Sequence, residues 1–193
     1  MKQHYLFETE RCLLRPFMAE DAEGVYNLNL HPDILIHTTD PPFESIAAAA
    51  AFIKSYRAYE EFGFGRWAVI LKSTNTFAGW CGLKFILSEN EVDIGYRFLP
   101  EHWGKGLAAE TAATCIKAGI DEFGLRRIVA RIHKENLRSV RVAEKLGMQY
   151  EKDLMYDGIP WLNYVHISKP DFTFKSRPLF PCPPISGPAL PNC

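Results

Sequence analysis

A mixed α/β fold, one sheet of about seven strands with helices on both faces, is what this sequence predicts. Residues 66–72, 77–87 and 91–99 are three consecutive runs rich in aromatic and β-branched side chains, joined at the turn-like Ser73-Thr74-Asn75 and Ser88-Glu89-Asn90. They read as an antiparallel meander. At residues 103–106 the pattern changes from strand to helix through a glycine-containing turn, and strand, helix and strand alternate after it.

The rest of the chain fits around these segments. Residues 12–17 read as a first strand and 21–30 as a short helix, stopped by Pro32 because proline disfavours helix in the residue before it. Asp40-Pro41-Pro42 marks a loop. An alanine-rich helix is expected over 44–61, with Ile46, Ala49, Ile53 and Tyr56 facing inward. After the glycine turn a helix runs to about Phe123, with Ala109, Ala112, Ala113, Ile116, Ile120 and Phe123 on its packed face, and Gly124 ends it. A strand at 127–132, a helix at 136–146 stopped by Gly147, and strands near 148–154 and 161–168 complete the sheet.

Composition narrows the function. With 193 residues, 47% of them hydrophobic and 13% aromatic, the chain supports one packed domain, assigned to residues 1–169. Residues 170–193 hold seven of the thirteen prolines and form a Pro-rich tail with no catalytic role. A formal charge of -1 gives no footprint for nucleic acid or an anionic membrane. The N-terminus lacks the apolar core of a secretory signal, so a cytoplasmic protein without a membrane span is expected. Five widely spaced cysteines fit neither a disulfide framework nor a zinc site; Cys12, Cys81 and Cys115 read as reduced core residues, and no metal is expected.

The chemistry concentrates where a strand, Pro100, and Trp103-Gly104-Lys105-Gly106-Leu107-Ala108 lie in line at the start of a helix. Glycines let the backbone turn tightly and approach a ligand, while the free N–H groups and positive dipole end of the helix converge on an anion. A pyrophosphate suits such a site; a glycine turn needed only for packing is the plainer alternative. Gly104-x-Gly106-x-x-Ala109 also satisfies a dinucleotide fingerprint, with Glu135 near the next strand's end, but antiparallel-looking strands precede it and about one βαβ unit follows, which a Rossmann fold does not allow. A P-loop would need a Lys-[Ser/Thr] pair where Leu107-Ala108 stands.

Four spaced motifs carry a resemblance: Asp93-Ile94-Gly95-Tyr96-Arg97-Phe98-Leu99-Pro100, the Trp103–Ala108 loop, Asn136-Leu137-Arg138-Ser139, and Glu144-Lys145-Leu146-Gly147-Met148. Together with Thr9-Glu10-Arg11 and Leu14-Arg15-Pro16 they resemble the RimJ/RimL-type branch of the GCN5-related N-acetyltransferases (GNAT) across residues 9–168. The resemblance implies the GNAT fold, with antiparallel N-terminal strands and a splayed parallel pair, and acetyl-coenzyme A as co-substrate. It implies that the pantetheine arm enters between the strand ending at Phe98 and the 127–132 strand. The pyrophosphate would rest on amides of Trp103, Gly104, Lys105, Gly106, Leu107 and Ala108, with Asn136 and Ser139 facing the thiol end. Trp103 replaces the family's Gln or Arg. Asn136 equally suits a helix cap; Lys105, Arg138, Arg141 and Lys145 could meet the coenzyme's phosphates, though the last three, at spacings of three and four, equally read as a solvated stripe.

The implied reaction is direct attack of a neutral primary amine, from a peptide N-terminus or a small molecule, on the thioester. Asp93 is the expected base; the same carboxylate on a strand equally reads as a salt-bridged group. The family's thiol-protonating tyrosine falls at Ala143, so Ser139 or solvent is expected to serve, and a non-catalytic coenzyme A-binding module is the alternative. The acceptor is expected among the first two helices, residues 37–43 and the 156–161 turn, with Phe62, Phe64, Trp67 and Trp80 as candidate lining or, equally, as core aromatics. His102 and His133 read as solvent-facing loop residues. A homodimer stays open.

Overall fold

The computed structural model describes residues 6–38 and 40–168; the Pro-rich tail with Cys182 and Cys193 lies outside the described residues. Eight strands make one sheet: β1 (Phe7–Glu8), β2 (Cys12–Arg15), β3 (Arg66–Leu71), β4 (Thr76–Ile86), β5 (Glu91–Phe98), β6 (Arg127–His133), β7 (Gln149–Tyr156) and β8 (Ile159–Ile167). Their order is β1-β2-β3-β4-β5-β6-β8-β7. Every neighbouring pair is antiparallel except β5 with β6. The strand beyond the expected seven is β1, whose two residues are too few to show an alternation.

Among the described residues six α-helices accompany the sheet: α1 (Ala22–Leu28), α2 (Pro32–Leu35), α3 (Ile46–Ser55), α4 (Ala58–Phe62), α5 (Leu107–Asp121) and α6 (Leu137–Lys145). α5 packs against β4 and β5, while α1 packs on α3 and on β4. Strand alternation divides β3 accordingly. Trp67 and Val69 join the cluster that holds Cys81, Leu83, Ala112 and Cys115, and Ala68 and Ile70 are buried on the other side. Cys12, Cys81 and Cys115 are buried free thiols, as their sequence setting predicts.

Three expectations are revised. Pro32 ends the first helix but opens α2 as its first residue, where proline's missing N–H is harmless. The helix expected over 44–61 breaks at Tyr56, whose ψ of 105° is extended. There the Tyr56 hydroxyl accepts the Arg66 N–H at 2.7 Å and the Tyr59 hydroxyl donates to the Arg66 carbonyl, so two side chains satisfy the start of β3. An unbroken helix would place these phenols elsewhere. Finally, Ile46 and Ala113 are exposed rather than inward; α5 instead buries Leu107, Thr111, Cys115, Ala118 and Gly119 beside Ala109, Ala112 and Ile116. A helix face set by small residues has edges that periodicity alone locates poorly.

Candidate active site

One rung, Asp93↔Val129, joins β5 to β6. Beyond it β5 pairs only with β4, and β6 only with β8. The Leu99 N–H bonds to the Ala78 carbonyl at 3.0 Å, which fixes the phase of the β4–β5 ladder. Because peptide groups alternate along a strand, Asp93, Gly95 and Arg97 turn theirs toward β4, and Ile94, Tyr96 and Phe98 turn theirs into the gap. Extended backbone with free hydrogen-bonding groups on one edge is ready to receive an amide-bearing chain as a further strand.

Asp93 stands where the strands part. Its Oδ1 accepts the Arg131 N–H at 3.1 Å, a donor a continuing ladder would use, and its Oδ2 meets Arg66 Nη2 at 2.7 Å. Both side chains of that ion pair are 13% exposed. Arg66 also donates to the Gly82 carbonyl and lies over Trp80, 5.1 Å from the ring centroid. It crosses Gly95 so closely that a Cβ there would stand 2.6 Å from Nη2. The expected base is therefore placed in a bridge linking β3, β5 and β6.

At the far end of β5 the turn at residues 100–102 leads into the glycine loop. Gly104 and Gly106 have φ of 71° and 80°, left-handed conformations that suit glycine. Gly106 is the N-cap of α5 and brings no capping side chain, so the first amides of the helix have no side-chain acceptor from the cap. Beside them a groove of ≈ 350 Å³ is lined by Arg11, Lys105 and Lys145 among others, so Lys145 joins the loop's lysine rather than a merely solvated stripe. The chemistry of these donors fits a pyrophosphate with a further phosphate.

A contact invisible in the sequence fixes this loop. Glu110, in the first turn of α5, receives the Thr9 hydroxyl at 2.6 Å, the Arg11 N–H at 2.9 Å and Arg11 Nε at 2.7 Å, while Arg11 Nη1 donates to the Lys105 carbonyl at 2.8 Å. Burial pushes the Glu110 carboxyl up, but the Thr9 hydroxyl and the Arg11 amide and guanidinium outweigh it, and its pKa lies below the usual value. A depressed folded-state pKa stabilises above the unfolded value and is lost as pH falls through the folded one. Glu110→Gln is therefore expected to lower stability by about 1 kcal/mol at pH 7, discounted for the exposed Arg11, with the deficit starting to shrink as pH falls below the ordinary glutamate value of about 4.3 and gone only below the depressed folded-state value. Thermal unfolding of both proteins across pH checks this.

The remaining candidates lie around the gap. Trp103 donates its indole N–H to the Phe98 carbonyl at 2.7 Å, so that acceptor is occupied, and Arg138 lies 4.8 Å over the Trp103 ring. Arg138 stays exposed to solvent while it stacks on the loop's tryptophan. Asn136 caps α6, accepting the Ser139 N–H at 3.1 Å, which realises the capping reading. Ala143 is buried in the core. A phenol from β5 reaches α6: Tyr96 donates to the Ser139 carbonyl at 3.3 Å, and burial pushes its pKa up, keeping it protonated. Sequence reasoning passed over Tyr96 because its helix contact lies 43 residues away.

On the opposite face, the expected acceptor segments do converge. Arg97 reaches Asp40 at 2.7 Å and also the Asn29 side chain, tying the loop after α2 to β5. His37 lies 5.5 Å from His133, which lies 5.6 Å from Trp161, itself 6.2 Å from Tyr156. His133 is thus packed among rings rather than solvent-facing. Of the four aromatics suggested as lining, Phe64 and Trp67 are core and Phe62 packs on Phe64 and Phe85. Trp80, under Arg66 and Arg97, is half-buried. No group of three or more metal-ligating side chains occurs among the described residues, and no helix there is long and apolar enough to cross a membrane.

Comparison with known proteins accounts for this geometry. The chain is 30% identical over 172 residues to the uncharacterized N-acetyltransferase YoaA of Bacillus subtilis, covering 86% of this chain and 97% of that one. It is 26% identical over 153 residues to the spermidine N(1)-acetyltransferase of Escherichia coli, covering 75% and 76%. A GNAT-family acetyltransferase structure from Bacillus anthracis superposes with a TM-score of 0.71 at 27% identity, over 83% of this chain and 96% of that one. The acetyltransferase (GNAT) domain model matches residues 11–149, and by that match the chain belongs to the GNAT acetyltransferase family.

Proposed function

We propose that this protein is an N-acetyltransferase of the RimJ/RimL-type branch, acting in the cytoplasm, which moves an acetyl group from acetyl-coenzyme A to a primary amine by direct attack. The observation that carries the reading is the single rung between β5 and β6, with free backbone groups inside the gap and an uncapped glycine loop at its end. The pantetheine amides pair with the Tyr96 edge of β5, and the pyrophosphate sits on the amides of Gly106, Leu107 and Ala108, within reach of Lys105 and Lys145. The acetyl group then lies near the divergence of the strands. Asn136 and Ser139 shape the thiol end through the start of α6.

In this reading Asp93 works as a wedge: with a donor on each carboxylate oxygen it holds the strands apart instead of taking the amine's proton. Tyr96, half-buried and protonated, replaces the missing helix tyrosine: its hydroxyl leaves the long bond to the Ser139 carbonyl and donates to the departing thiolate, and Ser139 contributes its backbone rather than its hydroxyl. The acceptor enters from the His37–Trp161 face. A spermidine acetyltransferase among the relatives supports a small polyamine as the acceptor, beside the peptide N-terminus that the branch implies.

The test is calorimetric titration with acetyl-coenzyme A, followed by thiol release in the presence of spermidine or a short unblocked peptide. Binding with amine-dependent thiol release supports the transferase. Binding with no release from any amine would leave a coenzyme A-binding module, and no binding at all would remove both readings.

A further inference from the structure

Resting on the transferase reading, the acceptor face still lacks a group to take the amine's proton, since a primary amine arrives as an ammonium at neutral pH and only the free amine attacks. The His37–His133–Trp161 cluster meets the requirement. His133 is the last residue of β6, the strand whose unpaired edge bounds the gap. His37 comes from the loop after α2, held over the sheet by the Arg97 contacts to Asp40 and Asn29. Their ring centroids are 5.5 Å apart.

Two buried polar atoms in this cluster have no hydrogen-bond partner among the described residues: His37 Nδ1 and Trp161 Nε1. Buried polar atoms are almost always paired, so two orphans flanking one histidine mark a place where a polar group from outside belongs. Trp161 lies edge-on against both His133 and Tyr156, so the surroundings of the two orphans are aromatic rings of the kind that can flank an ammonium ion.

We propose that His37 is the base that deprotonates the acceptor ammonium, in an aromatic port completed by His133, Trp161 and Tyr156. His133 Nδ1 accepts the Glu135 N–H at 3.2 Å, which leaves its proton on Nε2 and suits it to orienting rather than accepting. The charged groups facing His37 are His133 and Glu135 from β6 and its following turn, Arg138 from α6, and Asp33 from α2. Burial first, and His133 second, hold the His37 pKa below the usual histidine value, against the opposing pull of Glu135 and Asp33. The ring is neutral near pH 7 and able to accept.

The balance of the step is simple. The ammonium proton passes to His37 and on to solvent; the amine lone pair forms the C–N bond at the thioester carbonyl; the tetrahedral oxyanion collapses and the C–S bond breaks. The thiolate leaves with the electron pair and takes the second proton from the nitrogen, giving amide and free thiol. No oxidant or metal enters.

The full chain is assayed with acetyl-coenzyme A and two probes, spermidine and benzylamine, following thiol release from pH 5.5 to 9. His37→Gln is expected to lower kcat on the order of 100-fold, to lose the acidic limb of the profile, and to bind acetyl-coenzyme A within twofold of wild type. Free imidazole should restore part of the rate to His37→Ala. A His37→Gln protein with wild-type rate and limb overturns the proposal and leaves the transferase reading standing. A rate loss matched by lost coenzyme affinity, without imidazole rescue, overturns it in favour of a packing role. Wild-type protein that binds acetyl-coenzyme A yet releases no thiol overturns both.

Discussion

Replacing Gly106 with glutamate is expected to weaken acetyl-coenzyme A binding at least ~100-fold, equivalent to about 2.7 kcal/mol. Two effects add. Gly106 has a φ of 80°, which an L-residue adopts only at a penalty of roughly 1–2 kcal/mol. The new carboxylate also projects where the free amides of α5 and the cations Arg11, Lys105 and Lys145 favour an anion, so it occupies or repels the site meant for phosphate. Gly106→Ala separates the two, since a Cβ there meets only Arg11 Nη2 at 3.6 Å. The alanine variant should bind no more than ~10-fold more weakly, through backbone strain alone. Calorimetry on both variants, with thermal unfolding as a check on folding, measures the difference. Wild-type affinity in Gly106→Glu would remove the loop from the binding site.

Asp93→Asn carries the second large effect, and it separates a wedge from a base. The asparagine keeps an oxygen for the Arg131 N–H but loses the charge that Arg66 is paired with, leaving a guanidinium about seven-eighths buried beside a neutral amide. Removing one partner of a fully buried pair costs about 3–5 kcal/mol; with 13% exposure on each side, about 2 kcal/mol is expected. A wedge predicts this loss of stability, weaker acetyl-coenzyme A binding as the gap loses its shape, and a pH profile unmoved along its axis. A base predicts the reverse: normal stability and affinity, with turnover lost along with its acidic limb. Gly95→Ala offers an independent route to the wedge result, because its Cβ would drive Arg66 off Asp93.

The cofactor side was legible in the sequence for local reasons. Turn residues at 73–75 and 88–90, alternation in the strands between them, and glycines followed by a small-residue helix each act within a few neighbours. The structure places β3, β4, β5 and α5 within a residue or two of those boundaries. Asn136 was readable as a cap because its partner, the Ser139 N–H, is three residues away. The last hairpin was foreseen as two strands, but its order, with β8 between β6 and β7, was not.

What the sequence by itself determined is therefore most of the strands and helices, the glycine turn that opens α5 and, through spaced motifs, the family. Only the tertiary structure decided where β5 and β6 part, that Arg11 and Glu110, 99 residues apart, fasten the glycine loop, and that His37 meets His133 beside Trp161. The break at Tyr56 belongs with these, since the phenols answer to Arg66 rather than to their own helix. Backbone preference and periodicity are properties of neighbouring residues. Side-chain bonds that cross the sheet depend on how its layers pack, and that packing brings together residues whose spacing along the chain carries no sign of the contact.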